Sequence, residues 1–165
     1  METAPKKETA GEKLIRIAAG EVGIKEMPPD SNNVKYNTWF YNKAVSGAPY
    51  PWCGTFVSWV YDQAGMNLGN IGYTKGFAGC GTAVSNIPKW GTKVDKPEAG
   101  DVVFFDWNGD KKYDHTGIFR KDLGNGLFEC IEGNTSIGND SNGGSVMVRH
   151  RRYSVAIFVR PNSKR

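Results

Sequence analysis

The chain reads as an α+β domain, N-terminal helices packed on a C-terminal antiparallel β-sheet. Three observations predict it. Apolar residues recur at helical spacing only in the N-terminal half, while the C-terminal half holds short apolar runs divided by Asn-Gly turns. The length, 165 residues without an internal repeat, suits one domain able to bury a core of its own.

Residues 1–8 are Lys, Glu, Thr, Ala and Pro around the initial Met, the composition of an arm or linker, so the folded unit is placed at 9–161 with a short tail at 162–165. Thr9-Ala10-Gly11-Glu12 has the capping-box pattern, and Leu14, Ile15, Ala18, Ala19 and Val22 extend a helix over 11–22 that Gly23 ends. Pro28-Pro29-Asp30-Ser31-Asn32-Asn33 is a loop, and 34–41 is either a short helix or the lining of a cleft. From Cys53, the residues Phe56, Val57, Val60, Tyr61 and Ala64 mark a second helix stopped by Gly65. Glycines at 69, 72, 76, 79 and 81 predict a long loop over 66–82, followed by a short helix at 82–89. Strands follow over 101–105, 116–120, 127–132, 145–151 and 155–160, with turn chemistry from Asn108-Gly109, Asn125-Gly126 and Asn142-Gly143-Gly144.

The charge of +4 and pI near 8.9 are mildly basic, with the excess in the two tails, which suits an anionic polymer such as a bacterial wall. Nucleic acid is not the expected partner, because no zinc finger, RNP strand or basic helix with interleaved aromatics is present. No apolar run approaches the roughly 20 residues of a membrane span, and the first residues do not form a signal peptide, so a soluble chain without membrane insertion is expected. Three Cys are an odd number for a closed disulfide set. Whether Cys80 and Cys130 pair stays open.

Pro51-Trp52-Cys53-Gly54 places a thiol at a helix start, where partial positive charge favours the thiolate. A thiolate needs a base, and of the two His, His115 opens a strand after a turn while His150 stands among Arg149, Arg151 and Arg152. Glu132 and Asn134, two apart at a strand end, share a face, and either can orient the imidazole. The Cys53 N–H is the first oxyanion donor, with no second donor identified. Tyr36, Trp39, Tyr41, Tyr50 and Trp52 are candidates to line a substrate groove, with packing as the other reading. Asp106, Asn108, Asp110 and Asp114, with the Lys112 carbonyl, take positions of a calcium-binding loop, although Lys111 stands where such loops have Gly, and Gly117 where an EF-hand has its bidentate Glu.

Several segments together resemble the CHAP family of papain-like cysteine peptidases and amidases: Trp52-Cys53-Gly54-Thr55-Phe56, Gly100-Asp101-Val102-Val103-Phe104-Phe105, Asp114-His115-Thr116-Gly117-Ile118 and Ile131-Glu132-Gly133-Asn134. The likeness runs from about Gly11 to Pro161. It implies a peptidoglycan hydrolase in which Cys53 is the nucleophile, His115 the base, and Glu132 with Asn134 the orienting pair. The bond cut is N-acetylmuramoyl-L-alanine or an amide of the stem or cross-bridge. No cofactor is implied for the chemistry, and a structural Ca2+ is the one ion expected.

The likeness is strongest to phage endolysins, which implies a monomeric catalytic domain, a wall-binding module elsewhere, and release to the wall from the host cytoplasm through a holin pore. Two rival readings keep the same fold: a non-catalytic wall-binding module, and an acyltransferase or transpeptidase using the same acyl-enzyme.

Overall fold

The structure is a computed structural model that describes residues 3–165. The first two residues of the expected arm lie outside the described residues. Residues 3–9 are exposed and carry no helix or strand, with Glu8 held to Arg16 by an ion pair at 2.7 Å. The expected tail is tied down: Asn162 N–H donates to the Trp90 carbonyl, and Lys164 pairs with buried Asp101 at 2.9 Å.

Five helices come first. Helix α1 (Ala10–Gly20) begins where predicted, the Thr9 hydroxyl accepting from Glu12 N–H at 3.1 Å. It stops three residues short of Gly23, whose N–H instead donates to Val146 on the sheet edge. The undecided segment is helix α2 (Lys35–Tyr41), which buries Tyr36, Asn37 and Phe40. Helix α3 (Cys53–Gln63) buries almost its whole length. The glycine-rich loop ends earlier than expected, since α4 (Cys80–Ser85) and α5 (Ile87–Trp90) occupy its end and the following stretch.

Six antiparallel strands form one sheet. They are β1 (Gly91–Val94), β2 (Val102–Phe105), β3 (His115–Gly124), β4 (Leu127–Thr135), β5 (Ser145–Arg152) and β6 (Ala156–Pro161), in the order β1-β6-β2-β3-β4-β5. Strand β1 escapes sequence reading because it is four residues, the middle two exposed, whose pairing comes entirely from β6, with Gly91 opposite Pro161 and Val94 opposite Phe158 far along the chain. The Asn125-Gly126 turn joins β3 to β4 as predicted, with Gly124, Asn125 and Gly126 all at positive φ.

The sheet buries both faces. Val102, Phe104, Ile118 and Ile131 point to α1 and α3, and Val103, Phe105, Phe119, Phe128, Cys130 and Phe158 form a second, aromatic cluster behind it. Strand β4 lies so close to α3 that a Cβ on Gly133 would come within 2.7 Å of the Phe56 Cβ and 2.9 Å of the Trp52 ring. Gly133→Ala is therefore expected to push the first turn of α3 off the sheet and destabilise the fold by about 1–3 kcal/mol, read as a lowered Tm in thermal unfolding.

Candidate active site

Cys53 is the first residue of α3, and that turn is pinned from several sides. Trp52 stacks on Tyr36 at 5.5 Å and donates its indole N–H to the buried Glu26 carboxylate at 2.9 Å. Thr55 donates to Asn37 of α2 at 2.7 Å. Ser58 donates to the Gly54 carbonyl and accepts the Phe77 N–H at 3.1 Å, drawing the glycine-rich loop across the helix. Gly54 permits that crossing, because a Cβ there would lie 2.7 Å from the Ala78 carbonyl oxygen. The loop then leads to Cys80 at the start of α4, close enough to Cys53 for each thiol to shift the other's pKa.

His115 is the first residue of β3, paired with Phe105, and its ring stacks on Phe105 at 5.7 Å and Trp107 at 6.1 Å. Its Nε2 is 2.6 Å from Glu132 Oε1. Gly117 makes that contact possible. A side chain there would meet the Glu132 Cγ at 2.7 Å, so the glycine two residues after His115 is the space through which the carboxylate reaches the ring. The other ring nitrogen, Nδ1, is buried without a hydrogen-bond partner and is the one left for Cys53.

Glu132, and not Asn134, is hydrogen-bonded to the imidazole. The shared face expected for the pair is lost at a bulge between Glu132 and Thr135, where Asn134 has φ +58°. Asn134 turns instead to the loop before β5, accepting from Gly144 N–H and facing Asn142. His150 lies outside the site with an exposed ring beside Glu129.

The charges alternate. The Cys53 thiol is held well below its ordinary pKa, first by a hydrogen bond from the Cys80 thiol, then by the His115 imidazolium and the Thr116 N–H, against the opposing effect of burial. Burial opposes charge on His115, but Glu132 and Cys53 outweigh it and raise the imidazole to about 9. Burial likewise opposes charge on Glu132, and Arg151 with His115 brings it down to about 2. These shifts all favour the charged forms, a thiolate, an imidazolium and a carboxylate in succession.

Arg151 completes this row and escaped sequence reading. It donates to Glu132 Oε2 at 2.8 Å and Oε1 at 2.7 Å, and Cys130 donates to Oε2 at 2.9 Å. The three cysteines are free, with Cys130 committed to Glu132 behind the sheet and Cys80 to Cys53 in front, so the Cys80–Cys130 pairing left open is not formed. Beside Cys53 the Cys80 thiol is pushed well above its ordinary pKa and keeps its proton, while Cys53 is shifted the other way. Cys80→Ala is expected to raise the pH at which Cys53 becomes alkylated, measured as iodoacetamide rate against pH.

The reacting groups are nearly sealed: Cys53 is 4% exposed and His115 fully buried. A surface hollow of about 710 Å3 between the N-terminal arm and residues 64–67 is away from them. Two of the five expected groove residues are core, since Tyr36 and Trp52 are buried against each other and Phe56. Trp39 and Tyr50 are half-buried at the surface, and Tyr41 packs edge-on to both Tyr50 and the exposed Tyr73, a residue that the loop's glycines had obscured.

In the acidic loop the side chains of Asp106, Asn108 and Asp110 bond to the loop's own backbone. Asp106 spends both oxygens on the N–H groups of Gly109 and Lys111, Asn108 accepts from Asp110, and Asp110 accepts from Lys112. Asp114 is exposed. Among the described residues no three His, Cys, Asp or Glu side chains are grouped as a metal site. Asp106, Asn108 and Asp110 form a turn closed on its own backbone, and Asp114 lies beyond it with its N–H on the Phe105 carbonyl.

The chain is similar to known proteins to different extents. The chain is 34% identical over 99 residues to the peptidoglycan DL-endopeptidase CwlO of Bacillus licheniformis, covering 51% of this chain and 19% of that protein. It thus spans about a fifth of the curated relative it matches. In fold it is similar to the wild type endolysin LysIME-EF1, with a TM-score of 0.58 at 15% identity over 94% of this chain and 65% of that one. The Resuscitation Promoting Factor Interacting protein RipA, in a mutated form, gives a TM-score of 0.46 at 19% identity over 92% of this chain and 62% of that one. The family model of the CHAP domain matches residues 45–134, more than half of the chain and the whole stretch from Cys53 through Glu132, and the chain belongs to the CHAP domain family.

Proposed function

We propose that this protein hydrolyses an amide bond of peptidoglycan through an acyl-enzyme on Cys53. The observation that carries the reading is the buried row of Cys53, His115 and Glu132, with Nδ1 of His115 the one ring nitrogen not already bonded. A thiolate at a helix start, backed by an imidazolium that a carboxylate holds in place, is the ground state of thiol acyl transfer.

The Cys53 sulfur adds to the amide carbonyl carbon, and the oxyanion takes the Cys53 backbone N–H at the helix start. His115 Nδ1 gives its proton to the departing amine as the carbon–nitrogen bond breaks, leaving a thioester. Water then adds to the thioester as Nδ1 takes one of its protons, and the sulfur leaves as thiolate with the carboxylic acid released. With so little of the sulfur exposed, the side chains over it part when substrate binds. The ledge of Trp39, Tyr41, Tyr50 and Tyr73 is the surface along which a wall peptide lies. A relative named as a peptidoglycan DL-endopeptidase supports a cut within the peptide.

Mass spectrometry of products from purified walls tests the reading. One new amine and one new carboxyl per bond cut, with shortened stem peptides, is the expected result. Intact stems released from the glycan would make the enzyme an amidase instead. New reducing sugar ends, or no products, would overturn the proposal. Capture of the acyl group by an added amine in place of water would identify a transferase.

A further inference from the structure

Arg151 lies on β5, beyond the segment that the family model matches, in the run Arg149-His150-Arg151-Arg152. Such a run reads as solvated surface. Strand alternation divides it: His150 and Arg152 are exposed, while Arg151 is buried to 7% and Arg149 lies between.

Resting on the hydrolase reading, we infer that Arg151 is a positioning residue for the Cys–His chemistry, its guanidinium fixing the Glu132 carboxylate in the one orientation that aims His115 at Cys53. Each carboxylate oxygen has two donors. Oε1 accepts from His115 Nε2 at 2.6 Å and Arg151 Nη2 at 2.7 Å, and Oε2 accepts from Arg151 Nε at 2.8 Å and Cys130 at 2.9 Å. With every lone pair engaged, the carboxylate has no second rotamer of equal quality.

The guanidinium is itself clamped. It lies 4.9 Å from the Trp107 ring and 5.6 Å from that of Phe105, the same two rings that flank His115. From behind, Asp140 accepts from Arg151 Nη1 at 2.9 Å and from Arg149 at 2.8 Å. The ionisable groups around Glu132 are therefore His115 from β3, Cys130 from β4, Arg151 from β5 and, one contact further, Cys53, Asp140 and Arg149. Thiolate, imidazolium, carboxylate and guanidinium sum to zero charge. Remove the guanidinium and the dry site carries a net negative charge, which a carboxylate relieves by taking up a proton and so ceasing to hold the imidazolium.

The test compares Arg151→Met and Arg151→Lys with the wild type in kcat, KM and pH profile on purified walls, with Tm recorded for each. Arg151→Met is expected to lower kcat roughly 10–100-fold, the size seen when the group behind an oriented imidazole is removed. KM stays near wild type, and the acid limb of the profile moves to higher pH. Arg151→Lys keeps the charge without the fork, so its acid limb stays in place and its kcat falls between the two. A lower Tm with unchanged kcat and unchanged limbs would mean that Arg151 serves only the fold, and would overturn the inference. Should Arg151→Met not fold, Arg151→Lys decides alone: reduced kcat at constant KM supports the role, and wild-type kcat overturns it. Activity surviving in Cys53→Ala would instead mark failure of the hydrolase reading.

Discussion

Replacing Cys53 with Ala is expected to lower wall hydrolysis by about a millionfold, to the background rate, since a nucleophile that acts as a unit with its base leaves almost nothing behind when removed. The fold should survive. The neighbours that hold the first turn of α3 are Trp52, Thr55 and Ser58, none of which bonds to the sulfur, and the change deletes one buried atom. A cost of about 1 kcal/mol moves the Tm of a domain this size by roughly 2–4 °C. Turbidity loss of wall suspensions together with a thermal melt checks both halves. Retained lysis by a folded Cys53→Ala protein would remove Cys53 from the chemistry.

Glu132→Gln is expected to lower kcat by about 10⁴-fold while also destabilising the protein. The amide keeps the shape but presents an N–H₂ where His115 and Arg151 both need an acceptor. The imidazole, held at about 9 by the carboxylate and by Cys53, falls back toward its ordinary value, so the thiolate loses its counter-charge at neutral pH. Arg151, bonded to both carboxylate oxygens, loses one of them and is left buried with Asp140 as its remaining anion, an outcome of the kind that costs up to about 3–5 kcal/mol.

The pH dependence of stability gives the same pair a separate readout. Glu132 has its folded pKa, about 2, below the usual 4.5, so its contribution is present above 4.5 and is lost as pH falls toward 2. His115 has the opposite sign. Its folded value of about 9 exceeds 6.5, so its contribution is whole below 6.5 and is lost as pH rises through 9. Denaturation against pH should show both losses in the wild type and neither at full size in Glu132→Gln.

Much of this site is legible in the chain because each piece has a local signature. Cys53 follows a turn and opens a helix, His115 opens a strand, and Asn125-Gly126 forces that strand to lie beside the one that holds Glu132. What stays hidden is non-local. Asn134 leaves the face it should share with Glu132 because a bulge intervenes, and nothing in Glu-Gly-Asn announces a bulge. Tyr36 and Trp52 look like groove residues until their stacking is seen. Strand β1 takes its form from β6, and Arg151 takes its meaning from strands β3 and β4. Gly117 and Gly133 are legible as glycines, but the side chains that require them, Glu132 and Phe56, are known only from the packing.

Thiolate absorbance in the ultraviolet, taken as the difference between wild type and Cys53→Ala across a pH titration, tests the ion pair without needing access to the sulfur. The Cys53 signal should appear well below the ~8.5 of a free thiol and move upward in His115→Ala. A signal that emerges at or above ~8.5, unchanged by loss of His115, would contradict the pairing of sulfur and imidazole on which the proposed chemistry stands.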